Sequence, residues 1–478
     1  MEQEHGSFQR SLGLMDGTLL VIGSMIGSGI FIVSADIVRN VGSAGWLIAI
    51  WVLTGLMTMT AAISYGELSG MFPKAGGQYV YLKEAYNKLI AFLYGWSFFA
   101  VIQTGTIAAV GVAFSKFAAY LFPVLSEDNI LCSVPFGSWT LNISAAQLMS
   151  IAIICLLTYS NTRGVKSGKL VQNTFTTAKL ISLFGLIIAG FVMFRPEIWH
   201  ANWTNAWQPG HEVEGQGFVP VTGTVLLGCI AAAMVGSVFS SDAWNNVTFI
   251  AGEIRNPQRN IGLSLLLGTL VVTIIYVSAN FAYLATLPMD EIAHASKDRV
   301  AVAASQQIFG PAGTVIIAVM IMISTFGCNN GLILAGARVY YTMAQDGLFF
   351  RQAAQLNHNG VPSWALWAQC VVAAILCLSG RYGDLLDMIS LVVVLFYILT
   401  IAGIFILRRK RPDLPRPYKA LGYPVLPALY ILAGTAFCVL LLCFKNQYAG
   451  PGLIIVLLGL PIYYIINRGK KKKAVDMR

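Results

Sequence analysis

The sequence predicts an all-α polytopic membrane protein, and three observations lead there. Charged residues make up 11% of the 478 residues against 56% hydrophobic, far below the quarter or so that clothes a water-soluble globule. Apolar stretches of roughly twenty residues or more, enough to cross a hydrocarbon core of about 30 Å, recur from end to end. Basic residues gather in alternate loops, the asymmetry that orients helices in a bilayer. Strands facing lipid must close into a barrel of short alternating segments, whereas these runs are long and continuously apolar, so the spans are helices.

Twelve spans are expected, at 13–39, 44–71, 90–121, 145–162, 169–194, 219–250, 258–287, 312–344, 362–379, 384–408, 421–444 and 448–467. They divide the chain into an N-terminal segment (1–12), a first set of five (13–194), a second set of five (219–408), two additional C-terminal helices (421–467) and a basic tail (468–478). The first span is longer than the apolar core of a signal peptide, lacks a small-residue cleavage site and carries Asp16 and several glycines. It is expected to stay in the mature protein.

The net charge of +10 is a matter of topology, and no nucleic-acid partner is expected. The basic residues concentrate in the N-terminus, Lys74 to Lys88, Arg163 to Lys169, Arg255 to Arg259, Arg408 to Lys419 and the tail from Arg468, while the opposite loops collect Glu127, Asp128, Glu197, Glu212, Glu214, Asp290, Glu291 and Asp298. The positive-inside bias makes the basic face cytoplasmic, with both termini on it, and points to a multi-pass protein of the cell's inner (plasma) membrane. Lys470 to Lys473 suits contact with anionic membrane lipid. Cys132 alone among the eight cysteines falls in a loop on the far side, and a free thiol is expected there, with a bridge to another subunit as the alternative.

The opening span of each five-helix set is long and interrupted near its middle by small polar residues, GSMIGSGIF at 23–31 and FSSDAWNN at 239–246. Interruptions at matching places in two halves point to an inverted-repeat transporter with its site at the midplane. Unwinding a helix in lipid frees N–H and C=O groups that cost several kcal/mol each unless something satisfies them, and a solute can do so. Gly23, Gly27 and Gly29 let the backbone leave helical angles and let a ligand approach it. The half-helix that follows offers amides and a dipole to a carboxylate. Close helix packing through Gly23 and Gly27 is the plainer reading of the first segment alone, and the second interruption argues past it.

Asp242 is a carboxylate close to mid-span, a costly placement that reads either as a substrate contact or as a cap on amides of a half-helix beginning near Trp244. Phe239 and Trp244 bracket this break and suit a gate over an apolar side chain. Lys179, in TFTTAKLISLFG, is about ten residues from either end of its span and needs carbonyls or a carboxylate as partners. It is expected to act as a cation substitute, contacting carbonyls of the first break and Ser324 or Thr325. Lys116, nearer a span end, reads as a snorkelling or packing lysine. Tyr276 and Asn280 form an i, i+4 pair suited to line the cavity. The stretch PKAGGQYVYLKEAYNKL at 73–89 reads as an amphipathic interfacial helix that helps close the inner side.

The five histidines lie in tails or loops, no Cys/His set has metal-ligand spacing and no phosphate-binding G-x-x-x-x-G-K-[ST] loop is present. Neither an enzyme nor an ATP-driven pump is expected, and neither a cofactor nor a metal.

GSMIGSGIF, GELSGMFPKAGGQYVYLKEAY, Lys179, FSSDAWNNVTFIAGEIRNPQRNIG and STFGCNNGLILAGARVYYTMAQDGLFF together resemble the amino acid, polyamine and organocation transporter superfamily, and within it the L-type amino-acid transporters. The resemblance covers nearly the whole chain. It implies the leucine-transporter-like 5+5 inverted repeat with broken helices 1 and 6. It implies that the substrate carboxylate sits at Ser24, Gly27, Ser28 and Gly29, and the amino group on carbonyls at Ile26 and at Phe239, Ser240 and Ser241. Phe239 would be the gate, Lys179 would stand in place of a sodium ion in sodium-independent exchange, and Tyr276 and Asn245 would be further cavity residues. The chain departs from the family at Ala243-Trp244, where Gly-Trp is usual, and at Gly252-Glu253, where the family has a Glu-Glu pair. Asp242 stands where many relatives have a small residue, so neutral and cationic amino acids are both expected substrates. A proton-coupled or exchange-type permease for basic amino acids or polyamines is the alternative. Animal members pair with a glycoprotein through a cysteine in the loop that holds Cys132. Position in that loop predicts no such companion, and no obligatory protein partner is expected.

Overall fold

The computed structural model describes residue 10 and residues 12–136, 139–213, 215–379 and 382–475. Its helices are α1 (Leu14–Met25), α2 (Gly29–Val41), α3 (Ala44–Met71), α4 (Gln78–Ala85), α5 (Lys88–Leu121), α6 (Ala145–Thr162), α7 (Val165–Val192), α8 (Pro196–Trp203), α9 (Gly223–Ser240), α10 (Asn246–Phe249), α11 (Pro257–Thr286), α12 (Met289–Ala293), α13 (Val300–Gln345), α14 (Ser363–Ser379), α15 (Tyr382–Lys410), α16 (Val425–Phe444) and α17 (Asn446–Val475). Among the described residues nine helices are long and apolar enough to cross a membrane, and the pair α1 and α2, bent by 45°, makes a tenth. Shorter apolar helices at Ser363–Leu378 and Gly450–Ile466 fall where the ninth and twelfth spans are expected. The protein is an all-α integral membrane protein.

Loops shorten the range of possible topologies, and the ion pairs sort by face as an alternating path requires. Lys83–Asp346, Arg338–Glu253, Arg408–Glu67 and Arg411–Glu84 join segments on the face of the N-terminus. Arg39–Asp298, Lys297–Asp128, His294–Glu212 and Lys445–Asp387 join segments on the far face. Two antiparallel hairpins, β1 (Ile130–Phe136) with β2 (Trp139–Ser144) and β3 (Gly210–Val213) with β4 (Gly217–Pro220), cover the far face. The hydropathy pattern carried no sign of them.

Small residues let the helices approach closely. A Cβ on Gly55 of α3 would come 2.2 Å from Thr273 of α11, and one on Gly262 of α11 would meet the Gly66 backbone at 3.4 Å. In lipid such packing stands in for the hydrophobic force that drives association in water.

The segment 73–89 corrects an expectation. In place of a helix lying on the membrane, α4 is buried along most of its length. Its polar residues have partners inside the protein: Gln78 donates to Thr400 Oγ1 at 3.0 Å, and Lys83 pairs with Asp346 at 2.6 Å. An amphipathic pattern reports polar partners, and here protein supplies them where headgroups were expected. On the same face Leu12 bridges to Ile254, its amide 3.0 Å from the Glu253 carbonyl and its carbonyl accepting from the Arg255 amide at 2.8 Å. Beneath that bridge the Glu253 carboxylate pairs with the buried Arg338 guanidinium at 3.1 Å.

Candidate functional site: two broken helices side by side

The first span breaks between α1 and α2, where Ile26 takes an extended conformation (φ −74°, ψ 93°) and ends α1. The amides of Gly27 and Ser28 donate to no backbone carbonyl among the described residues. They stand at the start of α2, where an anion is favoured. The second break separates α9 from α10, and Ala243 within it has φ 61°, a left-handed conformation that costs a residue with a Cβ roughly 1 kcal/mol. The two breaks touch: a Cβ on Gly29 would lie 1.8 Å from Ser240 Oγ and 3.1 Å from Ser240 Cα. Only glycine fits there.

Three side chains organise this junction. Lys179 of α7 is fully buried and its Nζ donates to the carbonyls of Gly23 and Ile26, both at 2.7 Å. An ammonium among freed carbonyls satisfies acceptors that lipid cannot. Tyr276 of α11 directs its hydroxyl at the Met25 carbonyl (2.9 Å) and the Ser240 carbonyl (3.0 Å), stapling one break to the other. Cys328 of α13 reaches the Ser24 carbonyl at 3.3 Å.

The expected contact of Lys179 with Ser324 or Thr325 is a correction. Ser324 Oγ donates to the Gly27 carbonyl at 3.4 Å, and Thr325 Oγ1 returns to Ile321 and Met322 of its own helix, both at 3.0 Å. Lys179 and Ser324 thus serve different carbonyls of the same break, Gly23 and Ile26 for the ammonium and Gly27 for the hydroxyl. The cap reading of Asp242 is corrected as well. α10 starts at Asn246 and no side chain caps it at Asn245, while Asp242 Oδ1 accepts from Tyr397 Oη of α15.

The remaining predicted residues fall into place around these. Ser240 Oγ donates to the Gly236 carbonyl at 2.7 Å, and the Ser241 amide to the Ser237 carbonyl at 2.9 Å. Asn245 donates to Gln78 Oε1 at 3.1 Å, tying the second break to α4. Asn280 bonds Ser34 Oγ at 2.7 Å and so joins α11 to α2. Ser24 Oγ is buried with no partner among the described residues. Ser28 Oγ lies 3.1 Å from the hydroxyl of Tyr382, a residue the sequence reading missed.

The model of the family described as "Amino acid permease" matches residues 12–466. The chain belongs to that family. This permease is 28% identical over 463 residues to the large neutral amino acids transporter small subunit 2 of Mus musculus, covering 96% of this chain and 81% of that one. It is 29% identical over 473 residues to the b(0,+)-type amino acid transporter 1 of Oryctolagus cuniculus (94% and 91%) and 28% identical over 467 residues to the Asc-type amino acid transporter 1 of Mus musculus (97% and 82%). These are transporters and not enzymes, as this permease is.

Access to the site of the permease is unequal on its two sides. On the far face a cavity of 340 Å³ descends past Asp36, Arg39, Lys116 and Asp298 to a floor that includes Val33, Gly236 and Tyr382. A neighbouring cavity of 540 Å³ shares Lys116, Glu127 and Lys297 with it. Below the breaks the described residues line two small cavities of 10 and 20 Å³, flanking Asp242, room for about one water each. Phe239 is 8% exposed and meets the Tyr382 ring edge to face, centroids 6.1 Å apart. Trp244 is 2% exposed and lies deeper, packed on Tyr65 (4.7 Å) and Tyr397 (5.2 Å).

Of the two readings expected for Lys116, snorkelling or packing, the packing one holds, its side chain being 14% exposed. Its ammonium lies 3.8 Å from Asp298 and 5.6 Å over the Tyr382 ring, because α12 and the following turn bring an acid over it. On the rim, hydrogen bonds from Lys297 and Ser126 hold the Asp128 carboxyl below its ordinary range, and hydrogen bonds to Glu212 and Asp290 raise the His294 imidazole above its own. Among the described residues no group of His, Cys, Asp and Glu could hold a metal, and all eight cysteines are free, with Cys132 exposed.

Proposed function

We propose that this permease exchanges L-amino acids, neutral and cationic, by alternating access and without sodium. The observation that carries the reading is the Lys179 ammonium, 2.7 Å from the carbonyls of Gly23 and Ile26. A fixed positive charge there leaves the freed carbonyls no need of a metal cation. The substrate carboxylate binds the amides of Gly27, Ser28 and Gly29 with Ser24 and Ser28 Oγ, at the positive end of α2. Its ammonium binds carbonyls of Phe239, Ser240 and Ser241, and shares the Ile26 oxygen with Lys179, since a carbonyl has two lone pairs. Phe239 closes over the bound molecule and Trp244 backs the pocket from below. Asp242 and Asn245 sort side chains. Asp242 is buried, and no basic side chain pairs with it among the described residues, so a cationic substrate supplies the charge that a buried carboxylate lacks.

In the working topology, twelve spans form a 5+5 inverted repeat plus two helices in the plasma membrane, with both termini cytoplasmic. The sealed face is then the inner one. The name "small subunit" belongs to the large neutral amino acids relative. We take this chain to work without an obligatory partner.

The test is exchange by the purified chain in proteoliposomes. Uptake of radiolabelled amino acids is expected to require amino acid inside, and to be unchanged when sodium is replaced by choline or the pH gradient is collapsed. Uptake driven by a proton gradient into empty vesicles would favour the basic amino acid or polyamine permease. Activity that appears only with a second subunit would overturn the single-chain unit.

A further inference from the structure

Tyr382 opens α15 at the floor of the far-face cavity. It is 6% exposed, its ring meets the Phe239 ring, and its hydroxyl lies 3.1 Å from Ser28 Oγ. Two hydroxyls bring two protons, and the bond between them uses one. Among the described residues neither oxygen has another hydrogen-bond partner, so one O–H of the pair has no protein acceptor. A buried donor in that position is expensive to leave unmade. The acceptor that suits it is an anion. Four features around the pair are electropositive or donating: the amides of Gly27 and Ser28, the start of α2, and the Lys116 ammonium 5.6 Å above the Tyr382 ring. No carboxylate of the protein forms a hydrogen bond or ion pair with Ser28 or Tyr382 among the described residues.

We infer that Tyr382 is a substrate ligand as well as part of the lid, its phenol O–H completing the carboxylate site with Ser28. This deepens the exchange reading and rests on it. The substrate class it specifies is a compound with a free α-carboxylate. A single group thereby reads the carboxylate on one side and closes the cavity on the other: its hydroxyl faces the break while its ring covers Phe239. Occupancy of the first break and closure over it are coupled through one side chain.

The isosteric variant Tyr382→Phe keeps the ring against Phe239 and beneath Lys116 and removes only the hydroxyl. Exchange in proteoliposomes is expected to show KM raised about tenfold, the size of one charge-assisted hydrogen bond, with maximal rate within about twofold. In a Ser28→Ala background the same change is expected to raise KM less than threefold, because each hydroxyl orients the other. An unchanged KM, or a fall in maximal rate at constant KM, would show a lid without a ligand and overturn the inference. Size-exclusion profiles of both variants separate misfolding from lost binding. If Tyr382→Phe misfolds, Tyr382→Met, which adds no bulk and has no donor, supplies the reading: binding of a labelled amino acid to the detergent-purified protein, without transport, falls about tenfold if the hydroxyl is a ligand and is unchanged if it is not. Wild-type protein that exchanges normally while these variants match it would sink only the tyrosine's role. Wild-type protein that exchanges no α-amino acid would sink the functional reading itself.

Discussion

The two helix breaks solve one geometric problem with different residues. The first is built from glycine and main chain: Gly29 lets Ser240 approach and Gly27 lets Cys328 approach, and the freed carbonyls of Gly23 and Ile26 are held by Lys179 from another helix. The second is built from side chains. Ala243 holds a left-handed angle that glycine would hold without strain, and Asp242, Trp244 and Asn245 are each tied to other elements, by Tyr397, Tyr65 and Gln78. Main-chain groups are the same for every substrate residue type and suit the common α-carboxylate. Side chains differ from protein to protein and suit discrimination. On the proposed function, the first break holds the α-carboxylate, main-chain carbonyls of the second hold the α-ammonium, and the side chains of the second supply most of the selectivity.

The largest expected effect comes from removing the support of the first break. Lys179→Ala leaves two buried carbonyls without their ammonium, at a cost of roughly 3 kcal/mol, and exchange is expected to fall about a hundredfold for every amino acid alike. Retention of wild-type exchange in a monodisperse Lys179→Ala protein would detach the lysine from transport. In the second break the loss is expected to be selective. Asp242→Asn keeps a hydrogen-bond partner for Tyr397 but not the charge, so KM for cationic amino acids rises about tenfold, or about 1.4 kcal/mol, while neutral ones stay within twofold. Equal losses for both classes, measured by competition against one labelled substrate, would make Asp242 a structural residue. The smallest effect is Ala243→Gly. Relief of the left-handed strain stabilises by about 1 kcal/mol at most, read as a higher midpoint in thermal unfolding, and a lowered midpoint would mean that the alanine methyl contributes packing that outweighs its strain.

Much of this was legible in the chain. Spans at 44–71 and 145–162 coincide with Ala44–Met71 and Ala145–Thr162, since uniform apolarity over a membrane thickness leaves little freedom. The broken first span was legible because three glycines in seven residues have few other uses in lipid. The burial of α4 was not, because an amphipathic pattern carries no label for whether its polar partner is a lipid headgroup or Thr400 and Asp346. Tyr382 was missed for a related reason: it falls between two expected spans in the sequence, and only the fold carries it over Phe239. The direct contact expected of Ser324 and Thr325 with Lys179 failed because spacing along α13 does not say which carbonyl of the break each hydroxyl meets.

On the proposed function the two breaks hold the two α-substituents of one amino acid. That assignment is tested most directly by competition in proteoliposomes carrying the purified wild-type chain. A transported L-amino acid is compared with its carboxamide and its N-acetyl derivative as inhibitors of labelled exchange. Each analogue, blocked at one end only, is predicted to inhibit at least about a hundredfold more weakly than the parent, the cost of one charged group left unpaired in a buried site. An analogue blocked at either end that competes as well as the parent would contradict the account.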